Sequence, residues 1–350
     1  MNSVVADDAK QLQLPYNLRG KTVLITGVYG LIGGYLADVL CWVNDTTTGL
    51  PGGVIKIIGV DNGVAGLRRR VDHLIRRKDF TLIDRDLSEG SQFLIETEMP
   101  SLIFNCASIA SPVFYRRFSL DTITVNVVGT HNVMELANKR GARVIHFSSS
   151  EIYGEPDVVP TPETYNGNVS LFGDRACYDE SKRMGEVICY EAYKNQKVDV
   201  VVVRPFNIYG PGQRLDDGRI VPALMNAALN GVRFPVINGG TATRSYCYIR
   251  DAVAQLFWLV TNGEAGQVYN IGDESSEVSV SGMVQFMENV QPGFEKLVDQ
   301  VKSVYVPGPS RRRPDMSKMP VKPQVGLVDG LRRTLESYNE NRKSLLRSSA

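Results

Sequence analysis

The chain has 350 residues, of which 43% are hydrophobic and 22% charged, with a formal net charge of +1, five cysteines and three histidines. That length suits two lobes with ordinary globular cores, and the near-neutral balance gives no electrostatic reason to expect nucleic acid or an anionic membrane as partner. The cysteines are odd in number and form no CxxC, histidines are too few for a metal centre, and no apolar run reaches the ~18 residues of a membrane span, so a metal-free, cytoplasmic protein is expected.

Residues 1–20 are polar without strong periodicity and read as a loosely packed extension. Residues 21–26 (KTVLIT) form a short apolar run of the kind found in buried parallel strands. Gly27, Gly30 and Gly33 follow at once, ahead of a helical pattern that reaches about residue 42. Strand, glycine turn and helix is the context of a dinucleotide fingerprint. Gly27 permits the tight turn, Gly30 lets a pyrophosphate approach the helix N–H groups, and Gly33 allows close helix packing. A second apolar run, residues 54–60, ends at Asp61 and Asn62. A carboxylate there can accept both ribose hydroxyls of NAD and repels the 2′-phosphate of NADP. The polar segment 44–53 (NDTTTGLPGG) explains the wide gap after Gly33 as a surface loop. The basic cluster Arg68, Arg69, Arg70, Arg76, Arg77 and Lys78 reads as a solvated helix face in preference to an anion site.

Residues 80–83 make a third strand, followed by Asp86 and Leu87 where such folds hold adenine. Residues 101–105 make a fourth, which runs into a small-residue turn with Ala107 and Ser108 that can admit pyrophosphate and ribose. A long helical pattern with Asn126 inside it covers residues 120–140. The fifth strand, 143–147, delivers Ser148, Ser149, Ser150 and Glu151 at its carboxyl end, the edge where open α/β sheets bind ligands. Tyr178 and Lys182 are four residues apart and share a helix face. A cation beside a phenol of ordinary pKa about 10 favours the phenolate, which would make Tyr178 a base. Residues 198–203 continue the alternation, which predicts an α/β fold with a Rossmann-type doubly wound parallel sheet.

From Arg204 onward Gly, Pro and charge increase. A helix at 221–229, a strand-like stretch at 239–252 leading into another helix, a strand at 268–271 and a basic run at 311–315 describe a smaller C-terminal substrate-binding lobe. The expected division is an extension at 1–20, an NAD-binding domain at 21–208 and a mainly nucleotide-sugar-binding lobe at 209–350, with a late strand near 267–271 returning to the sheet. Arginines in the second lobe suit a phosphorylated substrate, because guanidinium pairs with phosphate in a fork.

Six segments carry a resemblance: ASIASP (107–112), SSSEIYGEP (148–156), GDRACYDESKR (173–183), RPFNIYGPGQRLDDGRIV (204–221), TRSYCYIRDA (243–252) and RRPD (312–315). Over residues 21–338 the chain resembles the extended short-chain dehydrogenase/reductases that act on nucleotide sugars, and among them it is most similar to the UDP-glucuronate decarboxylases. The resemblance implies NAD held by Gly27, Gly30, Leu31, Ile32, Gly33, Asp61, Asn62, Asp86, Leu87, Ala107, Ser108, Tyr178 and Lys182. It implies catalysis by Ser149, Ser150, Glu151, Tyr178, Lys182 and Arg312, and UDP-sugar contacts from Tyr115, Asn207, Arg219, Arg244 and Arg312. It further implies a homodimer paired through the helices near 120–140 and 178–193.

In the implied reaction Tyr178, helped by Ser149, takes the C4 hydroxyl proton while hydride leaves C4. The 4-ketone then loses C6 as CO₂, with Glu151, Ser150 and Arg312 handling the carboxylate and the C5 proton. The chain departs from the family pattern at Ser149 (usually Thr), at Asn105-Cys106-Ala107 (usually a His-Leu-Ala type turn) and at GPGQR, one residue longer than GPR. A 4-epimerase or 4,6-dehydratase of the same fold and a non-catalytic NAD sensor are the alternatives. Ser150-Glu151 in place of an Asp-Glu pair counts against the dehydratase, and the joint presence of Ser149, Tyr178 and Lys182 counts against the sensor.

Overall fold

The computed structural model describes residues 2–14, 18–49, 51–90, 99–303 and 308–348. Six strands, β1 (Thr22–Thr26), β2 (Lys56–Asp61), β3 (Phe80–Asp84), β4 (Leu102–Asn105), β5 (Arg143–Phe147) and β6 (Val200–Pro205), join the later strand Val268–Ile271 in one sheet. The order is Val268–Ile271, β6, β5, β4, β1, β2, β3, and every pairing is parallel. β1 and β4 are buried along their whole length, which is why they read as unbroken apolar runs. The doubly wound α/β sheet expected from the sequence is therefore the fold, with its late strand beside β6.

Helix α2 (Leu31–Thr46) and the helix Ile249–Asn262 cover one face and bury Tyr35, Leu36 and Leu256. The helices Thr130–Arg140 and Ala176–Gln196 cover the other and bury Val133, Leu136 and Cys189. Each fully buried Leu, Ile or Val contributes roughly 1.5–3 kcal/mol. The second lobe is built on small sheets. In one, Thr243–Ser245 lies between Glu277–Ser279 and Arg311–Arg312, with Arg312 opposite Arg244. Among the described residues no helix is long and apolar enough to cross a membrane.

Several local expectations change. The helical pattern at 120–140 is three pieces, Ser119–Thr124, a wider π turn at Val125–Gly129 and Thr130–Arg140. α2 runs on to Thr46 and absorbs the start of the expected loop, because the buried Asn44 amide donates to Ile55 O (2.8 Å) and accepts from Ile55 N (2.8 Å). The basic cluster is in large part the solvated face expected, with Arg68, Arg69, Arg76 and Lys78 exposed, but it lies on turns and not on a long helix, and three of its arginines are paired. Arg70 pairs with Asp38 at 2.7 Å, Arg77 with Asp45 at 2.7 Å and Asp79 at 2.8 Å, and Arg68 with Asp84 at 2.7 Å. Asp79 directly follows the cluster, but Asp38, Asp45 and Asp84 come from other parts of the chain, which a local charge count does not see.

The largest change is at residues 1–20. Instead of a loose lead-in, helix α1 (Ser3–Ala9) begins at Asn2, whose side chain accepts from Val4 N at 3.0 Å, and buries Val5 and Ala9. Its Asp8 is fully buried and accepts from Tyr35 Oη (2.9 Å), Tyr248 Oη (2.7 Å) and Arg333 Nη1 (2.7 Å). One carboxylate thus ties α1 to α2, to the second lobe and to the C-terminal helix Leu327–Ser348. The seven-residue helix is too short to give a periodic signal, and its anchor is an acid, which composition assigns to the surface. Asp8→Ala leaves a guanidinium and two phenols without their acceptor, and is expected to lower stability by about 3 kcal/mol or more. A urea unfolding curve unchanged from wild type would show that the contact is not structural.

Candidate active site

The carboxyl ends of β1 to β6 open into one cleft of 710 Å³ that both lobes line. Strand order reverses between β1 and β4, the switch point where such sheets take ligands. Every residue expected to bind or react lines this cleft except Arg312, which lies buried behind Glu151.

At the β1 end, Gly27 has φ +70°, and a Cβ there would stand 2.8 Å from Ala107 N. The turns after β1 and β4 are therefore in contact, and only glycine fits. A Cβ at Gly33 would stand 2.4 Å from Gly27 O, so glycine is required there by the turn's own carbonyl and not by the sheet. α2 begins at Gly30 with no side-chain cap. The N–H groups of Leu31, Ile32 and Gly33 are left without intrahelical acceptors, and the positive end of the helix dipole faces the cleft. Asp61 accepts from Tyr29 N (3.0 Å) and Gly63 N (2.9 Å); burial raises its pKa and these N–H groups oppose the rise. Asn62 donates to Asp86 Oδ2 at 2.7 Å and joins the ends of β2 and β3. Ser108 Oγ and Ser148 Oγ are buried on the cleft with no partner among the described residues, which marks them as groups a ligand would satisfy. An uncapped helix N-terminus, a glycine cradle and a hydroxyl-accepting carboxylate, in that order, fit a dinucleotide.

Further along, Ser149 opens the turn Ser150–Tyr153 by accepting from Glu151 N at 3.1 Å. The Tyr178 ring stacks on Tyr115 with centroids 5.2 Å apart. Lys182 lies on the same helix, but its Nζ donates to Phe147 O at 2.7 Å. Burial pushes the Tyr178 phenol up to about 12, with the Ser149 hydroxyl pulling it back, and burial lowers Lys182 to about 8. The phenolate expected from the Tyr178–Lys182 spacing is thus not the resting state. In the free protein desolvation is the dominant influence on Tyr178, and the ammonium is engaged by the strand end.

Glu151 is clamped by two guanidiniums, Arg312 on Oε1 and Arg175 on Oε2. Burial would raise its carboxyl, but Arg312 and then Arg175 hold it down at about 2. Glu151 is therefore ionised at neutral pH, which corrects the expectation of an acid that exchanges its proton there. Arg312 also donates to Gly154 O at 3.0 Å. Arg175 was missed in the sequence. It stands three residues before Tyr178 at the N-cap of its helix, where a cation opposes the dipole, and that misplacement was the available signal. Asp179 lies 3.5 Å from Arg175; burial raises it to about 7 against the pull of that guanidinium.

Arg244 is pushed down to about 10 by burial and by Arg312, and donates to Thr243 O at 2.7 Å. Arg219 pairs with Asp217 at 2.9 Å, and Asn207 donates to Ser245 O at 2.9 Å. Arg175, Arg244 and Arg312 give the substrate end of the cleft an excess of positive charge around one glutamate, an arrangement suited to anions.

Residues 23–272 match the NAD-dependent epimerase/dehydratase family. UDP-glucuronic acid decarboxylase 3 of Arabidopsis thaliana is 35% identical over 314 residues, 88% of this chain and 86% of the relative. UDP-glucuronic acid decarboxylase 1 of Xenopus tropicalis is 34% identical over 325 residues, 91% of this chain and 72% of the relative. The fold is that of a dTDP-glucose 4,6-dehydratase from Streptomyces venezuelae solved with NAD bound, with a TM-score of 0.80 at 22% identity over 92% of this chain and 98% of that one. By its sequence, its sheet and the cleft at the sheet's carboxyl edge, the chain belongs to the NAD-dependent epimerase/dehydratase family.

Proposed function

We propose that the protein converts UDP-glucuronate to UDP-xylose through a 4-keto sugar. The observation that carries this reading is the arginine-flanked Glu151 beside Ser149 and Tyr178, a positively charged seat for a sugar carboxylate next to the groups that would hold a C4 hydroxyl. The curated relatives at 35% and 34% identity, both UDP-glucuronic acid decarboxylases, support the same assignment. Bound NAD would accept a hydride from C4 and return it.

Ser149 and Tyr178 orient the C4 hydroxyl, and Tyr178 takes its proton. Its high resting pKa keeps the phenol neutral in the free protein, so it must first release its own proton to solvent, which the positive charge of bound NAD⁺ would favour. Lys182, fixed by Phe147 O, sets the place of the nicotinamide ribose. Arg175, the guanidinium of the Glu151 clamp that lines the cleft, turns from Glu151 to the incoming carboxylate, while Arg312 stays behind and holds Glu151 ionised. Once C4 is a ketone, the carboxylate is part of a β-keto acid. The anionic Glu151 nearby disfavours charge on the carboxylate; as CO₂ leaves, the electron pair of the C5–C6 bond passes to the C4 oxygen, and the enolate then takes a proton from water at C5, since Glu151 has none to give. Tyr115 stacks against Tyr178, and Arg244 and Arg219 take the diphosphate. Asn207, held by Ser245 O, borders the sugar.

The protein acts as a homodimer. Leu120 and Ile123 on one helix and Met184, Val187, Tyr190 and Tyr193 on the Tyr178 helix are exposed, an apolar face suited to a second copy.

Incubation with UDP-glucuronate and NAD⁺ is expected to yield, by mass spectrometry, a UDP-sugar lighter by one CO₂. Formation of UDP-galacturonate at unchanged mass would overturn the decarboxylase reading in favour of an epimerase. Tyr178→Phe should lower turnover by about 10²–10⁴-fold while NAD binding persists. Arg175→Ala should raise the KM for UDP-glucuronate by about tenfold to a hundredfold and leave inhibition by UDP-glucose unchanged. An equal loss for both sugars would remove Arg175 from carboxylate recognition. Light scattering should find a dimer that Val187→Glu converts to a monomer, and a wild-type monomer at micromolar concentration would refute the interface.

A further inference from the structure

Beneath the cleft runs a line of buried hydrogen bonds whose donors all point the same way. Ala107 N donates to Thr26 Oγ1 at 3.1 Å, and Thr26 Oγ1 donates to Asn105 Oδ1 at 2.8 Å. The Asn105 amide nitrogen lies 3.0 Å from His146 Nδ1. Because the amide oxygen is taken by Thr26, its nitrogen faces the ring, and Nδ1 must be the acceptor. His146 is thereby fixed as the tautomer with its proton on Nε2. Burial, together with the Lys182 charge, lowers its pKa to about 3, so the ring stays neutral.

On the far side, Asn126 Nδ2 donates to Ser181 Oγ at 2.9 Å, and Ser181 Oγ donates to the backbone carbonyls of Cys177 and Tyr178. Between the two halves stand one donor and one acceptor, His146 Nε2 and Asn126 Oδ1. Both residues are 2% exposed, and neither atom has a partner among the described residues. Gly185 stands beside both residues: a Cβ there would lie 3.3 Å from His146 Nε2 and 3.3 Å from the Asn126 backbone carbonyl oxygen. A buried N–H and a buried carbonyl oxygen left unpaired would each cost about 1–3 kcal/mol, and a single water can satisfy both.

We propose that His146 is a positioning residue: through Asn105 and Thr26 it holds the cofactor turn at Ala107, and through an ordered water at Gly185 and Asn126 it holds the first turn of the Tyr178 helix. The line then spans β1, β4, β5 and two helices, and makes the placement of the cofactor turn depend on the placement of Tyr178. Sequence alone shows one end of it, since Asn105 stands at a point of departure from the family's His-Leu-Ala turn.

The test compares His146→Leu, which removes both ring nitrogens, with His146→Gln, whose amide keeps one acceptor and one donor. NAD⁺ affinity is measured by calorimetry, and the folded fraction by thermal unfolding without ligand. His146→Leu is expected to weaken NAD⁺ binding by about threefold to tenfold per folded molecule, and His146→Gln to recover most of it. Loss of thermal stability with unchanged NAD⁺ affinity would overturn the proposal and leave His146 a plain core residue. A second measurement does not need the leucine variant to fold. Thr26→Val and Ser181→Ala act at separate places, and independent sites add in free energy. Their effects on NAD⁺ affinity should be non-additive, and strict additivity would refute the coupling. A high-resolution crystal structure should show a water bonded to His146 Nε2 and Asn126 Oδ1, lost in Gly185→Ala; no water in the wild type would refute the bridge.

Discussion

A parallel sheet covered on both faces can present its chain ends only at its edges, and in this chain one edge carries the chemistry. β1 delivers the glycine turn, β2 Asp61, β4 the Ala107 turn, β5 the serine run with Glu151, and β6 Asn207. The strands themselves have no freedom to do otherwise, because their side chains are occupied in the core. Functional side chains therefore sit on the first residues after each strand, where the backbone leaves the ladder and polar groups meet solvent or ligand. The second lobe closes this edge and adds the arginines the sheet does not supply.

Burial then governs the charges on that edge. A desolvated phenol at Tyr178 keeps its proton, a desolvated amine at Lys182 loses part of its hold on one, and a desolvated acid at Asp179 rises towards neutrality. Glu151 goes the other way, because two guanidiniums outweigh the desolvation. Beside Tyr178 the site at rest thus holds a firm negative charge inside a positive surround. Under the proposed function, a substrate carboxylate entering this region would compete with Glu151 for a guanidinium, an exchange of partners that costs less than desolvating a new ion pair.

The elements most legible in the sequence were those with a strong local pattern. The β strands at 22–26, 102–105 and 143–147 announced themselves as apolar runs, and Gly27 announced the turn that follows. Ser149, Tyr178, Glu151, Arg219 and Arg244 were singled out because they sit in tight motifs, and the fold does bring them to one cleft. What the sequence hid were relations between distant segments. Arg70 and Arg77 looked solvated because Asp38 and Asp45, which pair with them, lie 32 residues earlier in the chain. The Tyr178–Lys182 pair looked self-sufficient because helix spacing fixes a shared face but not where a flexible amine ends up. Arg175 was overlooked since its role depends on Glu151, 24 residues earlier.

Asp8 and Arg333 are 325 positions apart, and the first helix has no cation for its buried acid until the last helix arrives. The buried acid of α1 is therefore electrically balanced only when the helix Leu327–Ser348 is in place. Until then, sinking Asp8 against Tyr35 and Tyr248 would strand a carboxylate in apolar surroundings, a state several kcal/mol uphill. The docking of α1 is thereby coupled to that of Leu327–Ser348, a contact of long sequence separation whose loop-closure entropy must be met before the ion pair forms.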